Sequence, residues 1–167
     1  FWAVYSSRHD MNSIDNLLPL LKKDYSCFSF VSGKDFYWSP SSNTIYYSTH
    51  HKTAEYGVWA LFHELAHALL GHQKYDNDFE LLQLESKTWY KASKIASKYG
   101  IAISKDHIQD CLDTYRDWLH TRSKCPICKV VSLQRDDGFY QCFNCKSVWE
   151  VPQSPQSTVV QKIINKK

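Results

Sequence analysis

A short histidine-containing segment constrains this chain more than any other feature of the sequence. The residues His63-Glu64-Leu65-Ala66-His67 place two histidines four positions apart. On an α-helix, residues at this spacing lie one turn above each other on the same face, so both imidazoles can bind one metal ion. Glu64 projects about 100° away from His63, beside such an ion and outside its ligand set. This is the position that a general base for the activation of water needs.

The residues around this segment predict a helix with two different faces. The face opposite the histidines is apolar and consists of Val58, Phe62, Leu65 and Leu69. The histidines share their own face with small residues, among them Ala60. A five-residue pattern occurs in many proteins by chance, and two helix histidines can also belong to an ordinary polar face. The amphipathic arrangement favours the metal site over that alternative.

A catalytic zinc site needs three protein ligands and an open position. Four side chains downstream are candidates for the third ligand: His72, Asp76, Glu80 and Glu85. On the next predicted helix, Glu85 falls within the apolar stripe, whereas Glu80 falls among exposed lysines. A buried ionised carboxylate is costly unless it is paired or coordinates a metal. Glu85 is therefore the predicted third ligand, and a salt bridge from Glu85 to Arg116 or a lysine is the competing role.

Four cysteines predict a second metal site. They form two knuckles, Cys125-Pro-Ile-Cys128 and Cys142-Phe-Asn-Cys145, with thirteen residues between them. This spacing is typical of a zinc ribbon, here over residues 121–151. About thirty residues cannot bury enough surface to fold alone, so the zinc is expected to be structural.

Two other roles for the ribbon stay open. The ribbon can position a substrate or contact nucleic acid through basic residues, which are Arg122, Lys124, Lys129, Arg135 and Lys146. Iron in a rubredoxin-like site is the minor alternative, because such knuckles usually continue with glycine where Lys129 and Lys146 stand. The net charge of +3 comes from 20 basic and 17 acidic residues, and the segment 151–167 alone carries three lysines and no acid. The remainder is neutral on balance, so nucleic acid is only weakly supported as a partner.

The sequence predicts a cytoplasmic protein without a membrane partner. No run of about 18 apolar residues occurs, and the aromatic segment at residues 1–5 is too short for a secretory signal. Thiolate ligands also require a reducing compartment. The two other cysteines, Cys27 and Cys111, have apolar neighbours and are predicted to be buried thiols. The sequence gives no oligomeric state.

Patterning predicts an α+β fold. Helices are expected over residues 13–23, 56–71, 78–99 and 104–120, and strands over 27–32, 35–39 and 44–48. A small antiparallel meander is the simplest arrangement of these three strands. The predicted organisation is a catalytic domain over residues 1–120, the ribbon over 121–151 and a flexible basic tail over 152–167.

The central part of the chain resembles the IrrE/ImmA-like zinc metallopeptidases. The likeness covers roughly residues 35–100 and rests on the segment 63–70, on Asn43-Thr44-Ile45-Tyr46-Tyr47 before it, and on Glu85, Trp89 and Ala92 after it. It implies a zincin-like core, a small antiparallel sheet with an active-site helix and two further helices. It also implies the catalytic residues, with Glu64 as acid/base and zinc held by His63, His67 and Glu85.

Two departures from that family leave the substrate open. The helix-turn-helix domain found beside some relatives is absent from this sequence, and the ribbon stands in its place, as in SprT-like proteases. The expected function is nevertheless zinc-dependent hydrolysis of a protein or peptide substrate, with one catalytic and one structural Zn²⁺. Candidates for stabilising the transition state are His72, Tyr75 and His107. His72 can turn back toward His67 only if the helix breaks at Gly71.

Two alternatives to a freely active peptidase remain. The chain can be a zinc-containing binding module that docks DNA or a protein partner without proteolysis. It can also be a peptidase whose cleft opens only with a partner. The complete set of His63, Glu64, His67 and Glu85 favours an enzyme, because a module without catalysis would be free to lose Glu64.

Overall fold

The computed structural model describes residues 13–50, 55–152 and 158–164, and within these ranges the chain is α+β, as predicted. Its helices are α1 (Ile14–Asp24), α2 (Glu55–Leu70), α3 (Asp78–Lys98) and α4 (Lys105–Ser123). Its strands are β1 (Ser29–Gly33), β2 (Tyr37–Ser39), β3 (Thr44–Ser48), β4 (Tyr140–Gln141), β5 (Val148–Glu150) and β6 (Lys162–Ile164). The beginning of the predicted first domain and parts of the predicted tail lie outside the described residues. None of the described helices has the length and apolar character needed to cross a membrane.

The described residues divide into two compact units. The first runs up to Gln73 and includes Ser86–Lys105, and the second comprises Lys74–Glu85 and the residues from Asp106 onward. The boundary falls inside α3, between Glu85 and Ser86, so one continuous helix contributes to both units. The division into residues 1–120, 121–151 and 152–167 stays a prediction.

The first unit contains α1, α2 and a three-stranded sheet. Helix α1 begins after Ser13, whose hydroxyl accepts a hydrogen bond from the backbone N–H of Asn16 at 3.4 Å. This is the usual way in which a serine satisfies an open N–H at a helix start. The helix buries one apolar face formed by Ile14, Leu17, Leu18 and Leu21. Helix α2 is buried over most of its length, which places its histidines beside the core.

The sheet of the first unit is mixed, so the predicted antiparallel arrangement is wrong. Its strand order is β1-β3-β2, with β3 parallel to β1 and antiparallel to β2. Ile45 in the central strand is completely buried and pairs with Phe30 on one side and Trp38 on the other. Because β2 occupies one edge of β3, β1 pairs along the other edge. It runs in the same direction as β3. Alternation of apolar residues predicts which face of a strand is buried, but it does not encode this direction.

The second unit contains the cysteine segment and a second sheet. The strands β4, β5 and β6 lie in that order and pair antiparallel. Their core is a small buried cluster of Cys125, Tyr140, Cys142, Trp149 and Val151. Strand β6 corrects the prediction of a flexible tail, because Lys162–Ile164 pair with Val148–Glu150. Ile163 and Ile164 are β-branched residues that favour a strand, and this strand pairs with the edge of β5 that β4 does not occupy.

A buried ion pair stabilises the second unit. Asp78, the first residue of α3, binds Arg122 near the end of α4 through two hydrogen bonds of 2.7 and 3.1 Å. Arg122 is completely buried, and it also donates to the carbonyl of Pro152. Tyr140 donates its hydroxyl to the same Asp78 carboxylate. Arg122 is thus part of the core of this unit, and it is not available as the nucleic-acid contact that the sequence suggested.

Candidate metal centres

Helix α2 brings the two motif histidines together on one face. The Nε2 atoms of His63 and His67 are 3.0 Å apart. His63 is only 8% exposed, and the ring of Trp89 from α3 packs against it with the centroids 4.1 Å apart. The four-residue spacing therefore produces the paired imidazoles that the sequence predicted.

Glu85 completes a group of three side chains that could hold a metal ion. One carboxylate oxygen of Glu85 and one nitrogen each of His63 and His67 all lie within 4.8 Å of one another. Glu85 is 5% exposed and is positioned by the same continuous helix as Trp89. Arg116, the alternative salt-bridge partner that the sequence offered for Glu85, pairs instead with Asp113 on its own helix, at 2.5 Å.

The arrangement of these three side chains suits a zinc ion. In a tetrahedral site, zinc–nitrogen bonds of about 2.0–2.1 Å separate two ligand nitrogens by roughly 3.3–3.4 Å. The observed separation of 3.0 Å needs only a small opening of the two rings. Two imidazoles and one carboxylate also form a donor set found in catalytic zinc sites, which keep a fourth position open.

Glu64 stands apart from this ligand group. Its side chain is half-buried, and its Oε2 accepts a hydrogen bond of 2.7 Å from the backbone N–H of Trp38 in β2. The carboxylate is therefore held by the edge strand of the first sheet. Trp38 was not identified from the sequence, since its role depends on contacts 26 residues apart in the chain.

The end of α2 turns the chain back toward the histidines. Gly71 has a φ of +66°, and the N–H groups of Gly71 and His72 donate to the carbonyls of Ala68 and His67, both at 3.1 Å. These two bonds form a Schellman motif, for which glycine is the preferred residue because it has no Cβ. The break at Gly71 that the sequence required for His72 is thus present.

His72 consequently lies against the far side of His67. The two Nδ1 atoms are 2.9 Å apart, and the hydroxyl of Thr88 lies 3.4 Å from the Nδ1 of His67 and 3.3 Å from that of His72. Thr88 is completely buried. Sequence reasoning missed its role, although a polar residue within the apolar stripe of α3 was the signal that could have revealed it.

The other sequence candidates have different surroundings. Burial, followed by the charge of Asp78, raises the pKa of Tyr75, and the charge of Glu85 adds to this effect. The Tyr75 hydroxyl therefore stays protonated within electrostatic range of Glu85. The Nε2 of His107 lies 3.5 Å from the sulfur of Cys111 on α4.

Asp76 and Glu80 belong to the start of α3. The Glu80 carboxylate accepts the backbone N–H of Asp76 at 2.7 Å, and the Glu80 N–H donates to the Asn77 side chain at 2.9 Å. These are helix-capping contacts. They give the Glu80 carboxylate a local structural role, to which Asp76 contributes its backbone N–H.

The four cysteines form the second ligand group. Their sulfur atoms all lie within 4.8 Å of one another, and three of the pairs are separated by 3.3 to 3.7 Å. Zinc–sulfur bonds of about 2.3 Å in a tetrahedron give a separation of roughly 3.8 Å. Burial raises the pKa of the Cys125 thiol, but hydrogen bonds from Ser147 and from backbone N–H groups outweigh this effect and lower the pKa to about 6. The thiolate that a metal requires is therefore favoured at Cys125.

The two knuckles have the same local structure. Lys129 and Lys146 follow the second cysteine of each pair and have positive φ values of 65° and 61°. Their backbone N–H groups donate to the carbonyls of Cys125 and Cys142, at 3.0 and 3.1 Å. The lysines thus adopt the left-handed conformation that glycine usually supplies.

Cys27 lies outside both knuckles. It is exposed, so its prediction as a buried thiol is wrong.

Two ligand groups therefore occur within the described part of the chain, and both could hold a metal ion. Their donor sets are compatible with zinc. The likeness to IrrE/ImmA-like metallopeptidases rests on sequence motifs alone. Comparison of the chain with protein-family models, with curated proteins and with solved structures found no match.

Proposed function

We propose that this chain is a zinc-dependent metalloendopeptidase with a zincin-like core, similar to the IrrE/ImmA-like enzymes. The observation that carries the proposal is the different placement of two glutamates. Glu85 is buried in the ligand group with His63 and His67. Glu64 belongs to the same helix as the histidines, yet its carboxylate is held outside that group by Trp38. One carboxylate is thus suited to binding a metal and the other to moving a proton.

The number of protein ligands supports a catalytic role for the first site. Structural zinc sites are closed by four protein side chains, as the cysteine group of this chain would be. His63, His67 and Glu85 supply three, which leaves room for a substrate or water. Zinc bound by these residues would act as a Lewis acid, polarising a peptide carbonyl and lowering the pKa of water.

Glu64 is the proposed general base. Its Oε2 is fixed by the Trp38 N–H, so we assign proton transfer to Oε1. In the reaction, Glu64 takes a proton from the attacking water and then donates it to the nitrogen of the leaving amine. The hydrogen bond from Trp38 keeps the carboxylate oriented through both transfers, which reduces the entropy that each transfer costs.

The first experiment measures metal content. We expect two zinc ions per chain in the purified protein, one for each ligand group, and one fewer in a His67→Ala variant. The ribbon supplies the internal reference, because its cysteines are unchanged. A single zinc ion that is unaffected by His67→Ala would contradict the proposal and favour a binding module.

The second experiment tests Glu64. A mixture of natural peptides is incubated with wild-type protein and with a Glu64→Gln variant, and new termini are identified by mass spectrometry. We expect Glu64→Gln to keep both zinc ions and to cleave about 10²–10⁴ times more slowly, the usual contribution of a general base. Glu55→Gln is the matched control, since Glu55 is exposed in the first turn of the same helix. Equal cleavage by Glu64→Gln and wild type would refute the assignment.

A further inference from the structure

The imidazole of His67 is contacted at both of its nitrogen atoms. Its Nε2 faces the Nε2 of His63 at 3.0 Å, within the ligand group. Its Nδ1 faces the Nδ1 of His72 at 2.9 Å. The hydroxyl of Thr88 lies 3.4 Å from the first of these Nδ1 atoms and 3.3 Å from the second. His67, His72 and Thr88 all belong to the first unit.

A metal ion held by Nε2 would determine the hydrogen-bond roles in this contact. A neutral imidazole has one donor nitrogen and one acceptor nitrogen, so a ring that gives its Nε2 lone pair to a metal carries its proton on Nδ1. That proton needs an acceptor, and the Nδ1 of His72 is at hydrogen-bond distance. His72 then carries its own proton on Nε2. The hydroxyl of Thr88, within reach of both rings, adds a second polar contact on the same side.

His72 itself is held firmly by the backbone around it. The glycine conformation at Gly71 turns the chain, and the His72 N–H donates to the carbonyl of His67 at 3.1 Å. The indole of Trp38 donates to the carbonyl of His72 at 2.9 Å. Since Trp38 also holds Glu64, this one residue links the edge strand to both His72 and the proposed base.

We propose that His72, together with Thr88, is a positioning residue for the metal site. It fixes the ring orientation and the tautomer of His67, so that the Nε2 lone pair points into the ligand group. The inference rests on the metal site of the proposed function, but it needs no peptidase activity. Loss of a partner of this kind typically lowers metal affinity 10- to 100-fold.

Three variants separate the hydrogen bond from other effects. His72→Leu keeps a side chain of similar shape but removes the acceptor. His72→Asn retains an acceptor, since the amide oxygen occupies the place of the imidazole Nδ1. Thr88→Val removes only the hydroxyl. We expect His72→Leu to bind zinc about 10- to 100-fold more weakly, His72→Asn to stay close to wild type, and Thr88→Val to show a smaller loss.

The experiment uses the full chain with zinc already in the cysteine site. The affinity of the site formed by His63, His67 and Glu85 for Zn²⁺ is measured by competition with a chromophoric chelator, and circular dichroism verifies the fold of each variant. One equivalent of Co²⁺ bound by His63, His67 and Glu85 then reports the ligand set through its visible spectrum. The wild-type and His72→Asn spectra are expected to be the same.

Four results would overturn the inference. Unchanged zinc affinity in His72→Leu would show that the hydrogen bond is irrelevant. Equal losses in His72→Leu and His72→Asn would show that the acceptor is not what matters. A changed cobalt spectrum in His72→Asn would make His72 a ligand. Failure of the wild-type protein to bind a second metal ion would remove the proposed function as well, whereas the first three results would leave it standing.

Discussion

The buried pair of Asp78 and Arg122 allows a quantitative prediction for the second unit. The change is Asp78→Ala. It removes the carboxylate that accepts two hydrogen bonds from Arg122 and one from the hydroxyl of Tyr140. The Arg122 side chain has no exposed surface and the Asp78 side chain is 3% exposed. The variant would therefore leave a guanidinium buried without its counter-ion.

The expected magnitude follows from that burial. Removing one partner of a buried ion pair typically destabilises a protein by about 3–5 kcal/mol, because the remaining charge is desolvated and uncompensated. An exposed pair contributes only about 0–1 kcal/mol. The pair of Asp113 and Arg116 on α4 is such a case, with side chains 60% and 46% exposed. Asp113→Ala is thus the matched control.

Urea unfolding of the zinc-loaded chain, at fixed zinc concentration, measures both effects. We expect Asp78→Ala to lower the free energy of unfolding by about 3–5 kcal/mol and Asp113→Ala by less than about 1 kcal/mol. The double variant Asp78→Ala/Arg122→Met should recover much of the loss, since an apolar replacement removes the unpaired charge. Equal small losses in the two aspartate variants would refute the assignment of the pair to the core. A double variant no more stable than Asp78→Ala would refute the charge explanation.

Three further predictions concern the helix ends, the half-buried Tyr99 and the ribbon. Gly71→Ala and Gly100→Ala should each lower the free energy of unfolding by about 1 kcal/mol, because both glycines have positive φ. A Cβ added at either position would have no neighbouring atom within 4 Å, so a much larger loss would contradict a purely backbone origin. Burial, followed by the hydrogen bond to Asp24, raises the pKa of Tyr99 above its ordinary value of 10.0. The folded state therefore favours the protonated hydroxyl, and the stability that this contributes is complete below about pH 10 and is lost as the pH rises further. Stability measured from pH 9 to 11 should therefore fall more steeply in wild type than in Tyr99→Phe, and parallel curves would contradict this. Cys142→Ser should remove one zinc ion and loosen the buried cluster of the ribbon, seen as a red shift of tryptophan fluorescence, and an unchanged spectrum would argue against a structural zinc.

The sequence predicted the composition of both ligand groups because each depends on short-range geometry. Helical spacing alone places His63 and His67 on one face, and the two-residue spacing of each knuckle brings its cysteines together. Glu85 was identified by the same periodicity, as a charge within an apolar stripe, and the structure buries it beside the histidines. In each case the information lies within one short segment, which is a helix for the histidines and for Glu85 and a turn for each pair of cysteines.

The contacts that support the site depended on the tertiary structure. Trp38 is 26 residues from Glu64 and 34 from His72, and it donates a hydrogen bond to each. Glycine can continue a helix or end it, so the residue type at Gly71 does not determine where His72 lies. In the structure Gly71 ends the helix, and His72 lies beside His67.

The sequence by itself therefore determined the helices, the faces they bury and the side chains offered to metal ions, because these follow from the backbone period. Only the tertiary structure decided the parallel pairing of β1 with β3, the addition of β6 to the ribbon and the burial of Arg122. A strand pattern specifies a buried face but neither a neighbour nor a direction. The sequence likewise does not identify the partner of a buried arginine, because such an ion pair forms only where packing brings together two charges that are distant in the chain.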